Sequence, residues 1–226
     1  MTARAGPPMA GRMLPNLLDE LPAAQRLALA YAPRAARAST LALLALDARL
    51  AVTMRRKGEP VLAQMRFAWW RDRLAAEPAS WPAGDAVLDL LRGWREPAAL
   101  VPLVDGWEAL LCDALDTQAI AEFAGGRGHA FAQLARELGV AAPAAAPCGE
   151  LWALGDLAAN LADPGERAAT LARAAALPPC PTLPRALRPL AVLAGLARRS
   201  LERGGAPLLE GPGAMARAMR LGIIGR

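Results

Sequence analysis

Apolar residues recur at spacings of three and four along almost the whole chain, and prolines or glycines separate each run from the next. In the longest run, over residues 34–56, Leu43, Leu46, Leu50 and Met54 fall on one helical face. Aromatic residues make up only 4% of the 226 residues, so alanine and leucine supply most of the apolar content. Such a composition favours helices and leaves little material for a β-sheet. The pattern therefore predicts an all-α fold.

The positions of the interruptions predict where each helix begins and ends. Ten helices are expected, over residues 23–32, 34–56, 60–76, 83–94, 97–115, 117–138, 148–161, 164–176, 184–203 and 211–226. No repeat of fixed period is visible, which argues against a helical solenoid. A chain of this length suits one sizeable core. Residues 1–226 are therefore expected to form a single-domain helical bundle, with 1–20 flexible and 204–226 as a basic tail.

The charge distribution does not favour nucleic acid as a partner, although the net charge is +5. Lys57 is the only lysine, arginines are spread along the chain, and the longest basic run is residues 55–57. No aromatic residues interleave with that run, as a stacking surface for bases requires. No nucleic-acid partner is expected.

The cysteines and the single histidine restrict the covalent and metal chemistry. Cys112, Cys148 and Cys180 are odd in number, widely spaced and without a Cys-x-x-Cys pair. They predict no disulfide framework, and hence a reducing cytoplasm as the natural compartment. They are interpreted as small apolar residues that fill space in helices or linkers and not as nucleophiles. Because His129 is the only histidine, a structural zinc site is not expected.

No strongly apolar run approaches the ~20 residues that span a bilayer. The expected location is therefore the cytoplasm, with peripheral contact at the inner face of the membrane as a further expectation. Residues 215–224 mix basic and apolar side chains, which suits an anionic membrane surface. A short helix of this kind also suits docking on the core, and the sequence leaves both interpretations open.

The most distinctive local sequence is Glu-Pro-Val-Leu-Ala-Gln-Met-Arg-Phe-Ala-Trp-Trp-Arg-Asp over residues 59–72. Its Glu-Pro start is typical of a helix N-terminus. Leu62, Met65 and Trp69 share one helical face, with part of Trp70 beside it, which predicts a buried face. From these residues alone, the two indoles are interpreted as anchors of a core.

In the order of its residues, this segment also resembles the squalene/phytoene synthase superfamily. The resemblance is to the divergent bacterial and mitochondrial members, which include a mitochondrial complex I assembly factor of this fold. Less distinctive similarities occur in four other stretches: Ala30-Tyr-Ala-Pro-Arg-Ala-Ala-Arg, Leu41-Ala-Leu-Leu-Ala-Leu, residues 122–135 and residues 183–193. Together the similar stretches cover most of the chain. The resemblance implies a helical bundle of the isoprenoid synthase type.

The glycine cluster in the stretch 122–135 comprises Gly125, Gly126 and Gly128. Glycine costs about 1 kcal/mol inside a helix, so the cluster indicates close helix packing, a kink or the approach of a ligand. The family resemblance implies a helix whose small side chains leave room for a prenyl chain or for a neighbouring helix.

Catalytic members of that superfamily join two allylic diphosphates head to head, with Mg²⁺ held by two Asp-x-x-x-Asp motifs. Carboxylates at positions i and i+4 lie on one helical face, which suits a cluster of hard cations. On the family pattern, Ala51 and Arg55 stand where the first aspartate pair is expected. Asp47 is the only carboxylate of that helix, and it is interpreted as a capping or salt-bridge residue.

The second motif is also altered. Asp156 and Asn160 are spaced to give a weak Mg²⁺ contact, since an amide oxygen is a permissible ligand. Asp163 and Glu166, which flank Pro164, are interpreted as a helix start. Both altered motifs lower the expectation of turnover.

The implied function is that of a squalene/phytoene synthase-like protein that is catalytically degenerate. It would bind a prenyl lipid or a subunit of a membrane complex, such as a respiratory-complex subunit. The alternative is an active, Mg²⁺-dependent prenyl transferase of isoprenoid biosynthesis, and a third view is a helical scaffold whose resemblance reflects composition. No cofactor is expected except Mg²⁺ in an active enzyme. Candidates for lining a cavity or binding a diphosphate are Arg37, Asp47, Arg55, Arg66, Trp69, Trp70, Gly125 and Gly128.

Overall fold

The computed structural model describes residues 17–55 and 60–225, except for the side chain of Arg55. Within these residues the chain is helical and contains no strand. Ten α-helices have defined bounds: α1 Ala23–Ala30, α2 Arg34–Arg55, α3 Pro60–Ala75, α4 Ala86–Leu91, α5 Val101–Ala109, α6 Thr117–Glu137, α7 Ala145–Asn160, α8 Pro164–Ala175, α9 Arg188–Glu202 and α10 Pro212–Ile223. The expected all-α class is confirmed.

Helix starts follow local side-chain chemistry. The side chain of Asp85 accepts hydrogen bonds from the backbone N–H groups of Val87 and Leu88, at 2.9 and 3.1 Å, so α4 begins later than expected. Asp163 accepts one from the N–H of Glu166 at 2.9 Å, which confirms it as the cap of α8. The expected helix over 97–115 is a 3₁₀ turn followed by α5.

The centre of the fold is α6, which packs most extensively against α5 and α7, and α9 covers α7 from the other side. Residues on these helices are small where the backbones approach each other. A Cβ added at Gly128 would lie 2.8 Å from the carbonyl oxygen of Ala146, and one at Gly106 would lie 2.9 Å from that of Glu122. Gly126 and Gly128 of α6 therefore serve close helix packing, one of the roles that the sequence indicated.

The two ends of the described chain both reach the core. Residues 17–20 form a helical turn in which Leu17 is buried, whereas residues 1–16, the rest of the segment expected to be flexible, lie outside the described residues. Within 204–226, expected as a basic tail, α10 docks through buried Ala214 and Ala218. One connected hydrophobic cluster runs from Leu17 to Ala218.

The predicted buried face of α3 is wrong. Met65 is 62% exposed and Trp69 is 39% exposed, while Phe67 and Trp70 lie in the core. Apolar residues occur all round this helix, so the spacing fits two different faces, and packing against α5 decides between them. The ring centroids of Trp69 and Trp70 are 4.9 Å apart in an edge-to-face arrangement, with Trp69 on the solvent side.

The expectation that the cysteines form no disulfide is also wrong. Cys148, in the first turn of α7, is bonded to Cys180 in the connector between α8 and α9, with their Cα atoms 5.3 Å apart. Spacing alone gives no hint of this pair, because the fold brings together residues 32 positions apart. The inference of a reducing compartment thereby loses its premise. Among the helices described, none is long and apolar enough to cross a membrane.

Candidate functional site

A buried arginine joins two aspartates on different helices, Asp47 of α2 and Asp156 of α7. Arg127 of α6 donates from Nε and Nη2 to the two carboxylate oxygens of Asp47, at 2.8 and 2.9 Å. Its Nη1 donates to Oδ2 of Asp156 at 2.8 Å. We call Asp47, Arg127 and Asp156 the ion cluster. It ties α2, α6 and α7 together at the centre of the bundle.

Arg127 and Asp47 are the deeply buried members of the ion cluster. The side chain of Arg127 is 2% exposed, like that of Asp47, whereas Asp156 is 27% exposed. The guanidinium carbon lies 4.1 Å from the ring centroid of Trp152 and 4.8 Å from those of Trp107 and Phe123. Aromatic faces are favourable surroundings for a guanidinium that has lost its water.

Electrostatics keep this arginine charged in spite of its burial. Burial alone would lower the pKa of the Arg127 guanidinium, but the charges of Asp47 and Asp156 and their hydrogen bonds raise that pKa above its ordinary value. One guanidinium faces two carboxylates, so the ion cluster carries a net charge of −1.

Two further donors complete the environment of Asp47. Trp107 Nε1 donates to Oδ1 at 2.9 Å, and Gln25 Nε2 donates to Oδ2 at 2.9 Å. Asp47 thus accepts four hydrogen bonds from three residues, which confirms it as a salt-bridge residue. The other side-chain atom of Gln25, Oε1, is buried and has no hydrogen-bond partner within the described residues.

A cavity of about 440 Å³ opens beside the ion cluster, between α1, α2, α6 and α7. Arg127 and Asp156 are the charged residues among those that line it. Gln25 and Asn160 add polar groups. Most of its wall is apolar, including Met54, Phe123, Trp152, Leu157 and Leu208. The cavity is therefore mostly apolar, with four polar or charged side chains in its wall.

The site residues expected from the sequence are divided between this cavity and other places. Asp47 and Asp156 belong to the ion cluster, and Asn160 lines the cavity. Arg37 is exposed and donates to the carbonyl oxygen of Leu29 at 3.0 Å, so it closes the end of α1.

The remaining expected residues lie apart from the cavity or outside the description. Arg66 is half-buried on α3, and neither it nor the adjacent tryptophans Trp69 and Trp70 line the cavity. Gly125 and Gly128 are not lining residues either. The side chain of Arg55 lies outside the described part of the chain.

The residues around the cavity make a poor divalent-cation site. Asp47 and Asp156 are both bonded to Arg127, and Asn160 Nδ2 donates to the backbone carbonyl of Asp156 at 2.8 Å. In the ranges 17–55 and 60–225, no three His, Cys, Asp or Glu side chains are grouped so that they could hold a metal ion. The guanidinium of Arg127 lies where a cation bridging the two carboxylates would lie.

Sequence reasoning missed Arg127. The only signal was an arginine set between Gly126 and Gly128, in a glycine cluster that indicated close helix packing, a kink or the approach of a ligand. A charged residue on such a helix has little access to water, so an acidic partner could have been sought.

Comparison with known proteins gives no match to a protein-family model, a curated protein or a solved structure. The relationship to squalene/phytoene synthases stays a prediction, and the functional argument depends on the geometry of the cavity and the ion cluster.

Proposed function

We propose that this protein is a non-catalytic, squalene/phytoene synthase-like binding protein whose central cavity takes an uncharged prenyl lipid. The observation that carries the proposal is the ion cluster. Arg127 supplies internally the positive charge that a Mg²⁺ cluster would supply between two aspartate motifs, and it does so without an exchangeable ion. A cation fixed in the core cannot leave with a diphosphate product.

The same arrangement disfavours catalysis by metal-assisted ionisation. Mg²⁺ would have to displace a bidentate guanidinium from Asp47, which is 2% exposed. Ionisation of an allylic diphosphate also needs concentrated positive charge at the leaving group. Arg127 is committed to two carboxylates and offers no such excess charge.

Electrostatics also select the kind of lipid. The net charge of −1 on the ion cluster, in a site of low polarity, repels a diphosphate group. Among the lining residues there is no arginine or lysine besides Arg127. A neutral headgroup is not repelled by the ion cluster and needs no further basic residue to bind it. A prenyl alcohol therefore suits the cavity better than its diphosphate.

The shape and chemistry of the cavity fit such a ligand. Its volume of about 440 Å³ lies within the range of small-molecule sites, roughly 300–1,000 Å³. The apolar wall suits an isoprenoid chain. The polar wall residues Gln25 and Asn160 suit a hydroxyl headgroup.

The test is binding of farnesol and of farnesyl diphosphate by calorimetry, with and without Mg²⁺, followed by assay of released diphosphate. Farnesol is expected to bind independently of Mg²⁺ and more tightly than farnesyl diphosphate. Mg²⁺-dependent binding of the diphosphate with release of inorganic diphosphate would instead establish the active prenyl transferase. Absence of binding by either compound would overturn the lipid proposal and favour a protein partner.

Two variants locate the binding in the cavity. Met54→Trp fills the cavity and is expected to abolish farnesol binding, whereas the matched Met65→Trp change on the exposed side of α3 leaves it intact.

A further inference from the structure

Helix α10 presents an apolar stripe to the outside. Met215, Met219 and Ile223 follow one another at four-residue spacing, so they lie on one helical face, and Ile224 follows directly after the end of the helix. Their exposed fractions are 47%, 46%, 71% and 57%, in that order. The opposite face holds the helix on the core through Ala214 and Ala218. We call these four exposed residues the α10 stripe.

Arginines line two cavities whose walls include residues of α10. Arg198, Arg217 and Arg220 line a cavity of about 260 Å³ between α9, α10 and the connector that contains Cys180. Arg185 and Arg188 line a second cavity, of about 490 Å³, together with Ile223 of the stripe. We call these five residues the arginine rim.

The arginine rim has no acidic counterpart in the described part of the chain. The ion pairs found there involve other arginines, and none joins a member of the rim to a carboxylate. Arg188 and Arg217 donate only to backbone carbonyl oxygens, those of Leu221 at 3.3 Å and Gly195 at 3.4 Å. Five like charges gathered around two open cavities create a strong local positive potential.

We infer that the α10 stripe and the arginine rim form a docking face for a bilayer that contains anionic phospholipids. Guanidinium groups bind phosphate oxygens with paired hydrogen bonds, so the rim suits lipid headgroups. Exposed Met and Ile side chains on one face of a helix suit insertion at the boundary between headgroups and acyl chains. The two features meet at Ile223, which lines a cavity together with Arg185 and Arg188.

The apolar half of this face distinguishes a membrane from a nucleic acid, which is the other large polyanion. Nucleic-acid surfaces combine basic grooves with aromatic rings on which bases stack. The α10 stripe offers Met and Ile instead, and these would be left against water or phosphate on RNA or DNA. This inference does not depend on the lipid-binding cavity, which lies between α1, α2, α6 and α7.

The experiment is co-sedimentation of the full chain with vesicles of phosphatidylcholine alone and with vesicles that also contain phosphatidylglycerol. Binding is expected only to the anionic vesicles and is expected to weaken at high salt. Each arginine near such a surface contributes roughly fivefold to the affinity. The double variant Arg217→Gln/Arg220→Gln should therefore bind about thirtyfold more weakly, by the same rule.

Matched surface variants distinguish binding through the docking face from nonspecific adsorption of exposed apolar or basic residues to vesicles. Met219→Ser/Ile223→Ser is expected to remove vesicle binding, while Val61→Ser/Met65→Ser on the exposed side of α3 leaves it unchanged. The corresponding charge control is Arg95→Gln/Arg136→Gln, which removes two exposed arginines elsewhere. Circular dichroism verifies that each variant is folded.

Several outcomes would overturn the inference. They are equal binding to neutral vesicles, no binding to either kind, equal losses in the control variants, or tighter binding to a single-stranded oligonucleotide than to anionic vesicles. Met54→Trp is expected to abolish farnesol binding but to leave vesicle binding intact. That result shows that the docking face acts separately from the cavity.

Discussion

At the scale of single residues, Arg127 shows how a full charge is held inside a helical bundle. Taking a guanidinium out of water costs several kcal/mol, and one partner rarely offsets that cost. Here two carboxylates satisfy three of its donor nitrogens, and three aromatic rings surround its plane. The arrangement depends most on Arg127, because removing it would leave the buried Asp47 without a charge partner.

Replacing Arg127 by methionine is therefore expected to lower the free energy of unfolding by about 3–5 kcal/mol. The loss arises mainly from Asp47, which is 2% exposed and would lose its charge partner in the core. Urea denaturation followed by tryptophan fluorescence measures the change.

The control variants separate the loss of a charge partner from the loss of side-chain packing. The double variant Asp47→Asn/Arg127→Met is expected to recover more than half of the loss, because the remaining amide carries no charge. Arg71→Met removes an arginine that is 34% exposed from its pairs with Asp105 and Glu108, and should cost at most about 1 kcal/mol. Equal losses for the single and the double variant would mean that packing, and not charge, accounts for the effect.

At the scale of elements, the sequence predicted the helices well because helix ends depend on local chemistry. Capping aspartates, prolines and glycines lie within a few residues of the ends that they determine, and most of the bounds agree closely with those expected. The buried face of α3 could not be predicted in this way, because apolar residues surround the whole helix. Asp47 was correctly interpreted as a salt-bridge residue, but its partner Arg127 lies 80 positions away and only the tertiary fold brings it close.

Two glycines of α6 provide a test of the close helix packing. A Cβ at Gly128 would lie 2.7 Å from Cγ of Glu150 and 2.8 Å from the carbonyl oxygen of Ala146, whereas one at Gly125 would have no atom within 4 Å. Gly128→Ala is expected to destabilise the protein by about 1–3 kcal/mol through overpacking. Gly125→Ala should stabilise it by about 0.5–1 kcal/mol, because alanine favours a helix interior. Thermal melting of both variants measures the two changes in stability. A loss of stability in both variants would contradict this account of the helix packing.

The disulfide between α7 and the connector before α9 gives a second prediction for an element. The paired cysteines are 32 positions apart, and closing a loop of that length corresponds to about 3–4 kcal/mol of stability. Cys180→Ser is expected to lose that amount, and a reducing agent should do the same to the unaltered chain. Denaturant titration with and without dithiothreitol measures both.

Cys112 provides the internal control for that measurement. It is exposed and lies outside the disulfide, so Cys112→Ser should leave the stability unchanged. Burial raises the pKa of the Cys112 thiol, with nearby carboxylates adding to the rise. Its alkylation should accordingly speed up only as the pH rises above the range of an ordinary cysteine. Finding three reactive thiols without reductant in the denatured chain would show that Cys148 and Cys180 are not bonded.

At the scale of the whole molecule, the contacts argue for one cooperative unit. The ion cluster joins α2, α6 and α7, the disulfide joins α7 to the connector before α9, and α10 packs on α9. No group of the described helices has a core of its own, since the buried residues from Leu17 to Ala218 form one connected cluster. Proteins built in this way unfold in a single transition when no part can keep its buried surface alone.

Far-UV circular dichroism and tryptophan fluorescence should therefore give coincident unfolding curves. The two signals report on different parts of the chain. Dichroism averages over all helices, whereas the fluorescence comes mainly from buried tryptophans in the part of the chain from α3 to α7. These are Trp70, Trp81, Trp94, Trp107 and Trp152. Separate unfolding of α9 and α10 would lower the helical signal before the fluorescence changes. Such an early phase would contradict the single core. It would also mean that the face bearing the arginine rim is held independently of the ion cluster, so that membrane docking could not be coupled to the state of the cavity.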